Sequence, residues 1–202
     1  MKKQSPDKFV LGVTGSFASG KSTVARLFSG SACQVIDADK IAHAYLNSDR
    51  SLKQNLVAAF GARLLGPGGF IRRRELGKIV FSDKTALNKL NRIMHPRLKR
   101  LIAERINHSS KKIIILDAAL IIEAGLKDSV DKLVVVKADT RQQVLRAKKK
   151  FSLSPKEVLA RIKSQSSMRL KARLADFIID NSGTLHQTKK QVSEIRRKLW
   201  KS

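Results

Sequence analysis

Residues 15–22 read Gly15-Ser16-Phe17-Ala18-Ser19-Gly20-Lys21-Ser22, a G-x-x-x-x-G-K-[ST] pattern. A short apolar run, Phe9 to Thr14, precedes the pattern, and a helix-forming stretch, Thr23 to Phe28, follows it. Strand, glycine-bearing loop and helix in that order specify a phosphate site, because loop amides and the positive end of a helix converge on one anion. In such a loop Lys21 reaches the terminal phosphates, Ser22 ligates Mg²⁺, and successive amides cradle the chain of phosphates. Such a loop belongs in a parallel sheet, where the carboxyl ends of the strands line the ligand crevice.

The rest of the chain supplies that sheet. Apolar, β-branched runs recur at 9–14, 34–37, 112–116, 132–136 and 177–180, with helical patterns between them at 20–30, 140–150 and 186–200. Ile113–Leu116 and Leu133–Val136 lack polar alternation, as strands covered on both faces do. The expected fold is α/β, a five-stranded parallel sheet of P-loop NTPase type with flanking helices. Two excursions interrupt it. Residues 40–110 carry helical spacing in Leu52-Leu56-Phe60, Leu76-Ile79-Val80 and Leu98-Leu101-Ile102, broken by a turn at Gly66-Pro67-Gly68-Gly69. Residues 141–173 hold eleven Lys/Arg against the single acid Glu157, with Ser154-Pro155 reading as a helix start. The expected division is a core of 9–39, 111–140 and 174–202, a helical acceptor-binding insertion at 40–110, and a basic excursion at 141–173.

At 202 residues and 42% hydrophobic content, the chain suits one globular unit. No apolar run is long enough to span a bilayer, and Gly12, Thr14 and Gly15 interrupt the run after Lys2 and Lys3 too early for a signal peptide. A lone cysteine, Cys33, fits a reducing compartment, so the cytoplasm is the expected location. The formal charge of +26 favours encounter with anionic ligands and weak, salt-sensitive nucleic-acid contact. It is equally compatible with a general compositional bias.

Phosphoryl transfer needs a base or positioner for the nucleophile and further cations. Asp37-Ala38-Asp39 closes the second apolar run and opens a helix, which turns it toward the loop. Asp39 is the candidate acceptor of the nucleophile's proton, while Asp37 either joins a metal shell or caps the helix. Asp117 ends the third run, as a carboxylate meeting Mg²⁺ through water or as a strand-end turn residue. Arg146, in the basic excursion, has the guanidinium geometry that suits a γ-phosphate. His43, His95, His108 and His186 show no metal-ligand spacing, and His95-Pro96 reads as a helix start.

In order and spacing the motifs resemble the dephospho-CoA kinase family. The matching pieces are Val13–Thr23, Val35–Asp39, Arg73–Phe81, Ile93–Pro96, Leu120–Glu123, Val130–Lys132, Gln143–Arg146, Gln165 and Ala175–Gly183. The resemblance implies ATP-dependent phosphorylation of the ribose 3′-hydroxyl of dephospho-CoA, the last step to CoA, with Mg²⁺, and makes the 40–110 insertion a CoA-binding domain and the basic 141–173 excursion a lid. Its implied partners are ATP and dephospho-CoA, with no specific nucleic acid and no membrane. Carried over by position, nucleotide contacts fall on Gly15 and Ala18, Ser19, Gly20, Lys21, Ser22 and Thr23. The base falls on Asp39, the transition-state arginine on Arg146, acceptor contacts on Asp39, Arg73 and His95, and metal contacts on Ser22 and Asp117. The sequence departs from the family at Ser16-Phe17, where a Gly-Ile type pair is usual, and at Lys150-Phe151, where Arg-Asp is usual. Arg72 and Ala119 replace a common acid and a proline. Another small-molecule P-loop kinase and a non-catalytic nucleic-acid-binding descendant are the alternatives.

Overall fold

The computed structural model describes residues 7–200. Lys2, Lys3 and residues 201–202 of the expected core lie outside them. Among the described residues five strands form one sheet: β1 (Phe9–Gly15), β2 (Cys33–Asp37), β3 (Ile113–Asp117), β4 (Lys132–Lys137) and β5 (Phe177–Asp180). The sheet order is β2-β3-β1-β4-β5 and every pairing is parallel. Each strand begins and ends within a residue of its sequence expectation.

Alternation along the buried strands sorts their side chains between two apolar layers. Val10, Ile114, Leu116, Leu133 and Val135 face one cluster, while Leu11, Val13, Ile115, Val134 and Val136 face the other. The second layer is closed by α1 (Lys21–Phe28) through Val24, Ala25 and Phe28, and by α9 (Leu185–Leu199) through Val192 and Ile195. The first is closed by Leu98, Ile102 and Ile106 of α5 (Lys84–Asn107). Gly12 sits on this side because a Cβ there would stand 3.0 Å from both Ile121 and Val130.

Between β2 and β3 the chain forms α2 (Ala38–Ser48), α3 (Arg50–Phe60), α4 (Arg73–Ser82) and α5, gathered around Leu46, Leu52, Leu56, Leu64, Ile71, Leu76, Val80 and Met94. The Gly66–Gly69 turn holds Gly68 and Gly69 at φ of 74° and 71°, values that favour glycine. One expectation fails: His95-Pro96 does not start a helix. Asp83 caps α5 by accepting from the Thr85 amide, and Pro96 lies inside this 24-residue helix. A proline forfeits one backbone bond there, but the buried face of Met94, Leu98 and Ile102 keeps the helix running past it.

After β4 come α6 (Thr140–Phe151), α7 (Pro155–Lys163) and α8 (Met168–Leu174). Ser154 caps α7 with a full reciprocal capping box to Glu157. Lys171 of α8 is wholly buried; its Nζ lies 3.1 Å from Glu123 Oε1 and donates to the Ala119 carbonyl at 3.2 Å. Burial lowers its pKa, against the pull of Glu123. Breaking such a pair from one side leaves a buried charge unmatched, whereas removing both ends does not. Lys171→Met is therefore expected to destabilise the fold by about 3–5 kcal/mol in urea unfolding, and the double variant with Glu123→Leu should recover more than half of that loss.

Candidate active site

The strand order changes direction at β1: its successor β2 lies on one side beyond β3, and β4 lies on the other. A crevice opens at the carboxyl end of a strand at such a point. Gly15 ends β1 there, with the phosphate loop beyond it. The loop turns at once: a Cβ on Gly15 would lie 2.3 Å from the Val136 carbonyl oxygen. Ala18 and Gly20 adopt φ of 58° and 91°, and Gly20 leads directly into α1. Alternating backbone handedness of this kind points successive amides into one concavity.

Side chains from distant segments fix the loop. Ser19's carbonyl accepts from Asn181 Nδ2 at 2.8 Å and from Arg146 Nη1 at 3.2 Å. Arg146 Nη2 also donates to the Asn181 carbonyl at 2.8 Å, and buried Thr188 donates to Asn181 Oδ1 at 2.8 Å. Gln143 Nε2 donates to Ser16 Oγ and to the Phe17 carbonyl, each at 2.7 Å. Gln165 Oε1 accepts from the Phe17 amide at 2.8 Å. Asn181 and Thr188 are bearers of the site that reading the residues one by one did not single out. The available signal was a polar pair following the apolar run that ends at Asp180.

Lys21 Nζ stands 3.0 Å from Asp39 Oδ2, joining the loop to α2. Burial opposes the lysine's charge, but Asp39, then Asp117 and Asp37, outweigh it and raise its pKa above the ordinary 10.5. A raised lysine value adds stability that is fully present below pH 10.5 and fades as pH climbs through the folded value. Asp39 remains half exposed and faces solvent. Asp37 instead caps α2, accepting from the Lys40 amide at 2.9 Å.

Asp117 is 2% exposed, and its pKa is raised by burial against a Ser22 hydrogen bond and the Lys21 charge. Its Oδ1 has no partner among the described residues, and neither does Ser19 Oγ. The Ser22 hydroxyl bonded to this carboxylate and the unsatisfied Asp117 oxygen are hard donors of the kind Mg²⁺ takes when phosphates and waters complete its shell. Among the described residues there is no group of three His, Cys, Asp or Glu that could hold a metal ion. Ser22 and Asp117 thus fit the ion.

Arg73 opens α4, exposed, and its charge together with burial lowers the pKa of His43 on α2. His95 lies on α5, where burial and then Lys99 lower its pKa, and its Nε2 is buried without a partner. It lines a groove of about 830 Å³ with Pro96, Lys99, Arg100, Glu123 and Gly125. Glu123 Oε1 is committed to Lys171 and to the Ser166 amide, leaving Oε2 unpartnered. Lys21, Asp39, Ser22, Asp117 and Arg146 are therefore linked around the loop by direct contacts or by electrostatic influence, whereas Arg73 and His95 lie on the helices of the 40–110 segment.

Crowding at Gly15 gives a direct check. In Gly15→Ala the new methyl meets a backbone carbonyl that cannot move without disturbing β4. A loss of about 1–3 kcal/mol in urea unfolding is expected, and an unchanged midpoint would contradict the close approach.

Comparison with known proteins agrees with this geometry. The sequence model of dephospho-CoA kinase matches residues 9–187. A dephospho-CoA kinase from Geobacter sulfurreducens is 38% identical over 92% of this chain and 96% of its own length. Among solved structures, TT1252 from Thermus thermophilus superposes with a TM-score of 0.77 at 28% identity, covering 96% of this chain and 98% of that one. The dephospho-CoA kinase from Campylobacter jejuni gives 0.66 at 28% identity, covering 95% and 97%. A P-loop sheet, a loop-bound lysine beside an acidic helix start and these matches lead to one assignment: the chain belongs to the dephospho-CoA kinase family.

Proposed function

We propose that this chain transfers the γ-phosphoryl group of ATP to the ribose 3′-hydroxyl of dephospho-CoA, giving CoA and ADP. The observation that carries the reading is the Lys21–Asp39 contact of 3.0 Å, which sets a phosphate-binding cation against a half-exposed carboxylate at the crevice. When a triphosphate enters the loop, Lys21 exchanges its carboxylate partner for phosphate oxygens. Asp39 is then free to accept the proton of the incoming hydroxyl as the new O–P bond forms and the bond to the β-phosphate oxygen breaks. Ser22 and Asp117 would hold Mg²⁺, which would supply charge neutralisation for the phosphates during transfer.

The amides of Ala18 to Thr23 hold the phosphates, with Gly15 and Gly20 giving the loop its curvature. Arg146, already within hydrogen-bond reach of the loop at Ser19, neutralises charge on the transferring group. We assign 141–173 as the lid and 40–110 as the acceptor-binding insertion, with 9–39, 111–140 and 174–202 as the core. Arg73 and His95 are acceptor contacts in this division, and the groove beside His95 gives room for an extended substrate. Free Cys33 and these substrates fit a cytoplasmic enzyme.

A single-turnover experiment with the purified chain, Mg-ATP and dephospho-CoA should yield CoA by mass, while nucleosides and nucleoside monophosphates remain unphosphorylated. Phosphorylation of one of those acceptors in place of dephospho-CoA would overturn the assignment. Asp39→Asn should lower kcat by roughly 10²–10⁴ while retaining ATP binding, because the amide cannot take a proton. A folded Asp39→Asn protein with undiminished kcat would remove Asp39 from the proton path.

A further inference from the structure

Phe17, third in the phosphate loop, is held through both of its backbone groups and through its ring. Its amide donates to Gln165 and its carbonyl accepts from Gln143. Its ring lies 5.4 Å from that of Phe151, and the Arg161 guanidinium stands 5.2 Å from its centroid. Arg161 also lies 4.8 Å from the ring of Phe81 in α4. All four residues gripping Phe17 come from the segment between 143 and 165.

The residue after this clamp is Ala18, an alanine at φ 58°. A residue with a Cβ disfavours that conformation, and it persists where its surroundings over-determine it. Glutamine is suited to this task. Between them the two side chains supply an uncharged donor for the Phe17 carbonyl and an uncharged acceptor for its amide, whereas lysine and glutamate in those places would set charges beside the phosphates. Gln143 is buried at 3% exposure, so its two bonds are made away from water.

We propose that Gln165 and Gln143 are positioning residues that fix Phe17, and through it Ala18, in the conformation that presents the loop amides to a polyphosphate. Lid and loop are thereby joined before nucleotide arrives. The inference rests on the kinase reading only in taking the triphosphate of ATP as the loop's ligand.

Gln165→Leu keeps the bulk of the side chain and removes the acceptor, while Gln165→Glu retains an acceptor oxygen. Both are made in the full chain. Hydrogen exchange at the Phe17 amide is followed by NMR, and Mg-ATP affinity is measured by calorimetry without acceptor. The leucine variant should lose about tenfold of Phe17 protection and about tenfold in ATP affinity, the scale of one intramolecular hydrogen bond. Amides of β3 and β4 should stay as protected as before, and the KM for dephospho-CoA should hold within about twofold, because neither depends on that bond. The glutamate variant should keep Phe17 protected. Unchanged protection and affinity in the leucine variant, loss of protection throughout the sheet, or equal loss of Phe17 protection in both variants would each overturn the proposal. A wild-type chain that binds ATP but leaves dephospho-CoA unphosphorylated would instead count against the proposed reaction and leave this inference standing.

Discussion

The close approach of Gly15 to the Val136 carbonyl is the constraint on which the rest of the molecule depends. Only a residue without a side chain lets the backbone turn there, at the end of a strand enclosed by β3 and β4. That turn opens the loop, and the strand order brings the ends of β2 and β3 alongside it. Asp117 is thus delivered by topology to the same crevice as Asp37 and Asp39, although it lies far from them in sequence.

Placing three carboxylates and a lysine together in a half-buried crevice is electrostatically costly unless each has a task. Asp37 is occupied with helix capping. Asp39 balances Lys21, which keeps the lysine charged. Asp117 is left with an unsatisfied oxygen in a buried position, a local instability of the kind binding sites retain. In the proposed reaction each of these imbalances is relieved by ligand: the lysine by phosphate, the carboxylates by the acceptor proton and the metal shell. The segment between β4 and β5 is tied to the stretch after β3 by a different device, the buried Lys171–Glu123 pair.

Much of this was legible in the chain. The buried strands announce themselves because runs such as Ile113–Leu116 carry no polar alternation, and the phosphate loop because its flanks have the right character. Asp39 and Asp117 could be placed since parallel strands share one carboxyl end. Pro96 misled because proline's local preference for a helix start was overridden by a long buried face. Asn181, Thr188 and the grip of Gln143 and Gln165 on the loop were not readable as geometry. Their partners lie more than a hundred residues away in sequence in most cases, and polar side chains carry no periodic signature of whom they meet.

The account turns on a change of partner by Lys21 that frees Asp39 for a sugar hydroxyl. A crystal structure with dephospho-CoA and a non-hydrolysable ATP analogue tests it most directly. It should show Lys21 Nζ moved from Asp39 to phosphate oxygens and the acceptor's 3′-oxygen within hydrogen-bond reach of the Asp39 carboxylate. A ternary complex in which Lys21 keeps its contact with Asp39, or in which the 3′-hydroxyl lies remote from that carboxylate, would contradict it.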